Sequence, residues 1–127
     1  NGNVGASSCF EADNDVEGAP HLEQTKITVE AIRLDEWANK NNISEIDLLV
    51  MDLQGAEVEA LKGAGDLLHK VKYIITEGCV QPFYEGAPHI DDITALLESY
   101  GFRLMGDNMD TWQADELQGD FFFAKDV

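Results

Sequence analysis

Two apolar runs organise the chain. Ile46 to Leu53 reads IDLLVMDL, almost continuously apolar with Asp52 near its end, and Val71 to Thr76 reads VKYIIT, followed at once by Glu77. Runs of this length, rich in aliphatic and β-branched residues, predict strands of a parallel sheet, the first of them covered on both faces. Between them Ala56, Ala60, Leu61, Ala64 and Leu68 recur on one helical face, weakened by Gly63 and Gly65. Strand, helix and strand in that order give two parallel strands joined by a crossover helix.

Weaker patterns flank this unit. Lys26 to Ile32 alternates Ile27, Val29 and Ala31 with Thr28 and Glu30, which predicts a half-buried strand, and Leu34, Trp37 and Ala38 follow at helical spacing up to a stop at Asn41-Asn42. Downstream, Ile90, Ile93, Leu96, Leu97 and Tyr100 mark the clearest amphipathic helix, ended by Gly101. Phe102 to Met105 and Phe121 to Ala124 read as strands with a polar segment, through Trp112, and no helix between them, so an antiparallel pair is the economical arrangement. Asn1 to Gln24 has no period, carries the Gly18-Ala19-Pro20 breaker and reads as loop. The expectation is one α/β domain over residues 1–127, loop-rich at 1–24 with a core at 25–127, its sheet mostly parallel with a C-terminal antiparallel strand pair.

A chain of 127 residues, 44% of them hydrophobic, suffices for one core. Its 25 acidic residues against 8 basic ones leave a formal charge of -17, spread among apolar positions as a solvated surface would be. Phosphate backbones and anionic lipid surfaces are repelled by such a charge, which excludes nucleic acid and membrane as partners. There is no apolar run of about 18 residues and no charged-then-apolar leader. Cys9 and Cys79 are too few and too far apart for a disulfide framework, and no Cys or His pair has zinc-ligand spacing, so a cytoplasmic protein without a metal site is expected. A first residue other than Met points to Asn1 as an internal cut of something longer.

In open α/β sheets ligands bind beyond the carboxyl ends of the parallel strands, where loops and helix N-termini face one crevice. Asp52 and Glu77 fall there. In MDLQGAE, Asp52 closes the strand, Gly55 allows a tight turn and Glu57 stands in the first helical turn beside Gln54. A carboxylate ending an apolar strand needs partners for its charge, and if burial raises its pKa it can serve as a general base. Glu57 reads equally well as a cap complementing the helix dipole. Trp37 and the Phe121–Phe123 run read as core, His21, His69 and His89 as solvated or capping residues, and Tyr84 and Trp112, in loops, as acceptor-binding candidates.

The stretch LDEWANKNNISEIDLLVMDLQGAEVEALKGAGDLL resembles the signature of the FkbM methyltransferases: a Leu-Asp start, an Ile-Asp-Leu-Leu strand, then Asp-x-Glu/Gln-Gly-Ala-Glu and Leu-Lys-Gly-Ala. The likeness continues through YIITEG, the QPFYEGAP loop, the helix to YGF and the FFFA strand, and GASSCFEAD resembles the serine-containing segment before it. The resemblance implies a partial Rossmann-like sheet of the class I methyltransferase kind, holding the fourth and fifth strands and the antiparallel sixth and seventh. It implies S-adenosylmethionine as cofactor and transfer of its methyl group to an oxygen of a sugar or other small hydroxylated molecule. By position, Asp52, Gln54, Gly55 and Glu57 match the motif that would meet the cofactor, Asp52 and Glu77 would be catalytic, and Tyr84 falls in the loop that would meet the substrate. Val50 stands where many members have Lys, and Gln54 where many have Glu. The glycine-rich loop and the ribose-binding acid of this fold have no counterpart in these residues, so the N-terminal cofactor-binding half is expected to lie outside the chain. The rival class is a non-catalytic α/β module that binds a protein partner or self-associates through an exposed sheet edge.

Overall fold

The crossover unit forms where its pattern puts it. A computed structural model describes residues 7–19, 21–82, 84–109 and 117–125. Helix α1 (Leu34–Lys40) leads into strand β1 (Ile46–Met51), helix α2 (Glu57–Ala64), a 3-10 segment (Gly65–Lys70) and strand β2 (Val71–Cys79). Helix α3 (Ile90–Ser99), strand β3 (Phe102–Asp107) and strand β4 (Gln118–Lys125) complete the order. The predicted crossover helix is split at Gly65, whose φ of 50° and ψ of -133° no α-helix accommodates. Helix α3 starts on a reciprocal cap: His89 Nδ1 accepts from the Asp91 N–H at 3.1 Å, and Asp92 Oδ2 accepts from the His89 N–H at 3.0 Å.

The four strands lie in the order β1-β2-β4-β3. Strands β1 and β2 are parallel, from Ile46 opposite Val71 to Met51 opposite Thr76. Strand β4 is antiparallel to both β2 and β3. The antiparallel pair is present, but the sheet is mixed rather than mostly parallel: β4 inserts between β2 and β3, so a single pairing among the described strands is parallel. A bulge at Met105, between Leu104 and Gly106, bends the outer strand.

One face of the sheet carries the core. Leu61, Ala64 and Leu68 from the crossover and Ile90, Ile93 and Leu97 from α3 pack on Met51, Ile74, Phe102, Phe121 and Phe123, all of them buried. Lys125 ties the 3-10 segment down: its Nζ donates to the Leu68 carbonyl at 2.6 Å and lies 4.7 Å from the centre of the Phe102 ring. Among the described residues the opposite face is open. Leu48, Val50, Tyr73 and Phe122 are exposed on it, with Tyr73 stacked on Phe122 at 5.9 Å.

Several expectations are corrected here. Strand β1 is not covered on both faces, for Met51 is buried on one while Val50 on the other is 62% exposed, and among the described strands β1 is an edge strand. Lys26 to Ile32 has the alternation of a strand but forms none, leaving Ile27 81% exposed. Alternation alone does not satisfy N–H and C=O groups, and no described strand runs beside this segment. Trp37 is also exposed, because α1 buries only Ala38. Within the Phe run, Phe121 and Phe123 enter the core while Phe122 points to the open face.

Candidate active site

The residues after β1 are held in shape from several sides. Gln54 has φ 49° and Gly55 φ 107°, both left-handed. For Gln54 that conformation costs about 1–2 kcal/mol, so its neighbours must hold it. Glu57 does so from the first turn of α2: buried, it accepts from the Leu53 N–H at 2.9 Å and the Gly55 N–H at 3.1 Å. Ser8 Oγ donates to the Gln54 carbonyl at 2.6 Å and accepts from the Phe10 N–H at 3.0 Å. A side chain at Gly55 would stand 2.9 Å from Ala87 Cβ and 3.1 Å from the Phe10 ring, so only glycine fits the turn.

This turn aims the Gln54 amide at two carboxyls. Gln54 Nε2 donates to Asp52 Oδ1 at 2.7 Å and to Glu77 Oε2 at 2.9 Å, while Gln54 Oε1 accepts from the Tyr84 hydroxyl at 3.1 Å. Asp52 follows the last residue of β1. Glu77 lies inside β2, which runs on past it to Cys79 and pairs Glu77 with Asp120 of β4. Asp52 is exposed and Glu77 half-buried, so the argument from burial applies to Glu77 and not to Asp52. Burial, above all, pushes Glu77 up to about 8, reinforced by its hydrogen bond to Asp52 and by the charges of Asp52, Glu57 and Asp120. At neutral pH Glu77 therefore keeps its proton and donates it toward Asp52. Burial, followed by the charge of Glu77, likewise raises the Tyr84 hydroxyl.

The structure thus brings Asp52, Gln54, Glu77 and Tyr84 into one cluster, with Gly55 and Glu57 shaping the turn beneath it. Both Glu57 oxygens are taken up by backbone N–H groups, so this carboxylate holds the loop. Trp112 lies outside the described residues. Tyr84 is 4% exposed, set by the turn at Tyr84–Ala87 and by a bridge to Ala12. Sequence reasoning missed Asp120 and Ser8. The antiparallel register would have found Asp120; the serine-containing GASSCFEAD segment was the signal for Ser8.

The cavity bounded by Gln54, Glu77, Cys79, Tyr84 and Gln118 has a volume of about 10 Å³, the lower limit for one water. A wider groove of about 380 Å³ opens on the other side of Gly55, between Phe10, Val58 and Pro88, and shares neither Asp52 nor Glu77. Among the described residues no cluster of three or more His, Cys, Asp or Glu side chains is placed to hold a metal ion. None of the described helices is long and apolar enough to cross a membrane.

Carboxyls beside the parallel strand pair, a glycine turn and a mixed α/β sheet mark a crevice of the kind that binds ligands in α/β proteins and leave the class of protein open. Comparison with known families narrows it: residues 3–104 match the methyltransferase FkbM domain, and the chain belongs to that family. The match includes the N-terminal segment that carries Ser8. A stretch of 74 residues is 40% identical to the 2-O-methyltransferase NoeI of Sinorhizobium fredii (strain NBRC 101917 / NGR234), covering 58% of this chain and 30% of that protein. The chain thus spans well under two thirds of this relative's length. No solved structure matches.

Proposed function

We propose that the protein takes part in methyl transfer from S-adenosylmethionine to an oxygen of a small hydroxylated molecule, a sugar being the leading class. The observation that carries this is the Asp52–Glu77 pair, two carboxyls bridged by the Gln54 amide, Asp52 just past the end of β1 and Glu77 just past the last residue of β2 that pairs with β1. Family membership and the "2-O" in the relative's name support oxygen as the atom methylated. The parallel β1–β2 pair with β4 inserted beside it supports a Rossmann-like sheet of the class I kind.

The donor set fits the cofactor by its charge. Asp52 and Glu77 offer acceptors to ammonium and hydroxyl groups, and Asp52 with Gln54 would hold such a group, whereas the 10 Å³ cavity admits no more than a water. The bulk of a nucleoside would therefore lie outside it. When bound, S-adenosylmethionine supplies an electrophilic methyl group whose bond to sulfur breaks with the electron pair staying on the thioether. The carboxyl pair takes the proton that the acceptor hydroxyl loses as its oxygen bonds to that carbon, so charge and atoms balance. A carboxyl that titrates near 8 is a stronger base, once ionised, than an ordinary one. Placement of hydroxyl and methyl in line contributes the larger share of the rate.

Calorimetric titration with S-adenosylmethionine and its demethylated product, with Asp52→Ala as control, tests the cofactor. Transfer of labelled methyl to a panel of monosaccharides tests the acceptor. Binding abolished by Asp52→Ala, with transfer that rises with pH through about 8, is the expected result. Binding that Asp52→Ala leaves unchanged would remove this cluster from the cofactor site.

A further inference from the structure

The Tyr84 hydroxyl, the Gln54 amide and the two carboxyls form a hydrogen-bond chain that runs in one direction. Tyr84 donates to Gln54 Oε1, and the two hydrogens of Nε2 then go one to each carboxyl. The reverse amide orientation would set its oxygen against Asp52 and its NH2 group toward the Tyr84 oxygen, losing both carboxylate bonds at once. Three other groups, Ser8, Glu57 and Gly55, hold the strained turn on which Gln54 sits.

The charges around the pair explain why this amide matters. Asp52 and Glu57 from the loop and α2 and Asp120 from β4 all bear on Glu77, and all are negative. Cys79, the last residue of β2, and Tyr84, from the loop after it, line the same site and bring no positive charge. A second negative charge in this surrounding is tolerated only where donors meet it, and the Gln54 amide supplies donors to both carboxyls.

We propose that Gln54, oriented by the Tyr84 hydroxyl, is a positioning residue that holds the Asp52 and Glu77 carboxyls together as one hydrogen-bonded pair. The proposal rests on reading these carboxyls as the base of methyl transfer. It adds that Gln54 and Tyr84 decide when that base is available, although neither removes the proton itself.

Carbon-13 NMR of the side-chain carboxyls, recorded on the whole chain without cofactor, tests it by titration. In the unsubstituted protein the Glu77 carboxyl changes state near pH 8. Gln54→Met keeps the length of the side chain and removes both donors, and moves that midpoint upward by about one pH unit. Tyr84→Phe leaves the buried ring in place and moves it the same way by less. Because Tyr84 acts through Gln54, combining the two changes adds nothing beyond Gln54→Met. A midpoint that stays in place or falls in either folded variant overturns the proposal, as does a full Tyr84→Phe effect in the Gln54→Met background. Should Gln54→Met fail to fold, the direction of the Tyr84→Phe shift decides alone. A titration that behaves as expected in a chain that transfers no methyl group would sink the functional reading and leave the positioning role intact.

Discussion

The two faces of the sheet are built from similar residues and meet different surroundings. On the covered face Ile74, Phe123 and Phe102 are sealed by α3 and the crossover; on the open face Val50, Tyr73 and Phe122 meet solvent. By strand alternation Glu77 shares the open face with Tyr73, and Asp52 follows β1 on the side of Val50. Packing and the candidate site are thereby divided. One face holds the domain together, while the other carries the carboxyls, next to apolar side chains that contribute little to folding.

The largest effect belongs to the covered face. Phe123→Ala removes a ring with no exposed surface and should cost about 3–5 kcal/mol in urea unfolding. A cost below 1 kcal/mol would mean that the helices do not seal this face. Val71→Thr comes next: almost the same shape, but a hydroxyl placed where Val71 is 1% exposed, for a loss of about 1–3 kcal/mol.

That division was only partly legible in the sequence. The strands at Ile46 and Val71 and the helix at Ile90 could be read because apolar period and length fix them locally. The meeting of Asp52 and Glu77 could also be read, since each follows the last residue of the parallel β1–β2 pairing. What could not be read depends on distant parts of the chain. Gln54 is held at its amide oxygen by Tyr84, 30 residues further on, and at its carbonyl by Ser8, 46 residues before it. The exposure of β1 and the insertion of β4 are set by what lies beside a strand, which no local pattern records.

The carboxyl on the open face makes stability depend on pH. Glu77 releases its proton near 8 in the folded chain and near 4.5 unfolded, so between these values the folded state binds the extra proton. Stability from this group is complete below about pH 4.5 and declines as pH rises to about 8. Because Glu77 is partly exposed, solvent screening leaves an effect on the order of 1–2 kcal/mol over that window. Thermal unfolding at pH 5 and pH 8 should show the midpoint falling, and Glu77→Gln should remove most of the fall. A midpoint that rises over the same window, and rises equally in Glu77→Gln, would show that other groups control it.

The smallest effect sharpens the contrast most. Val50→Thr is the same exchange as Val71→Thr, in a strand of the same sheet, but Val50 is 62% exposed and Thr keeps the β-branched shape that strands favour. The new hydroxyl meets water instead of the core, so neither a desolvation cost nor a cavity arises, and the change in stability should stay within about 0.5 kcal/mol. Measured side by side in urea, the two substitutions separate burial from strand preference. If Val50→Thr cost as much as Val71→Thr, the face that carries Asp52 and Glu77 would be sealed in solution by a contact that the isolated fold does not contain, and the carboxyl pair would lie at its margin.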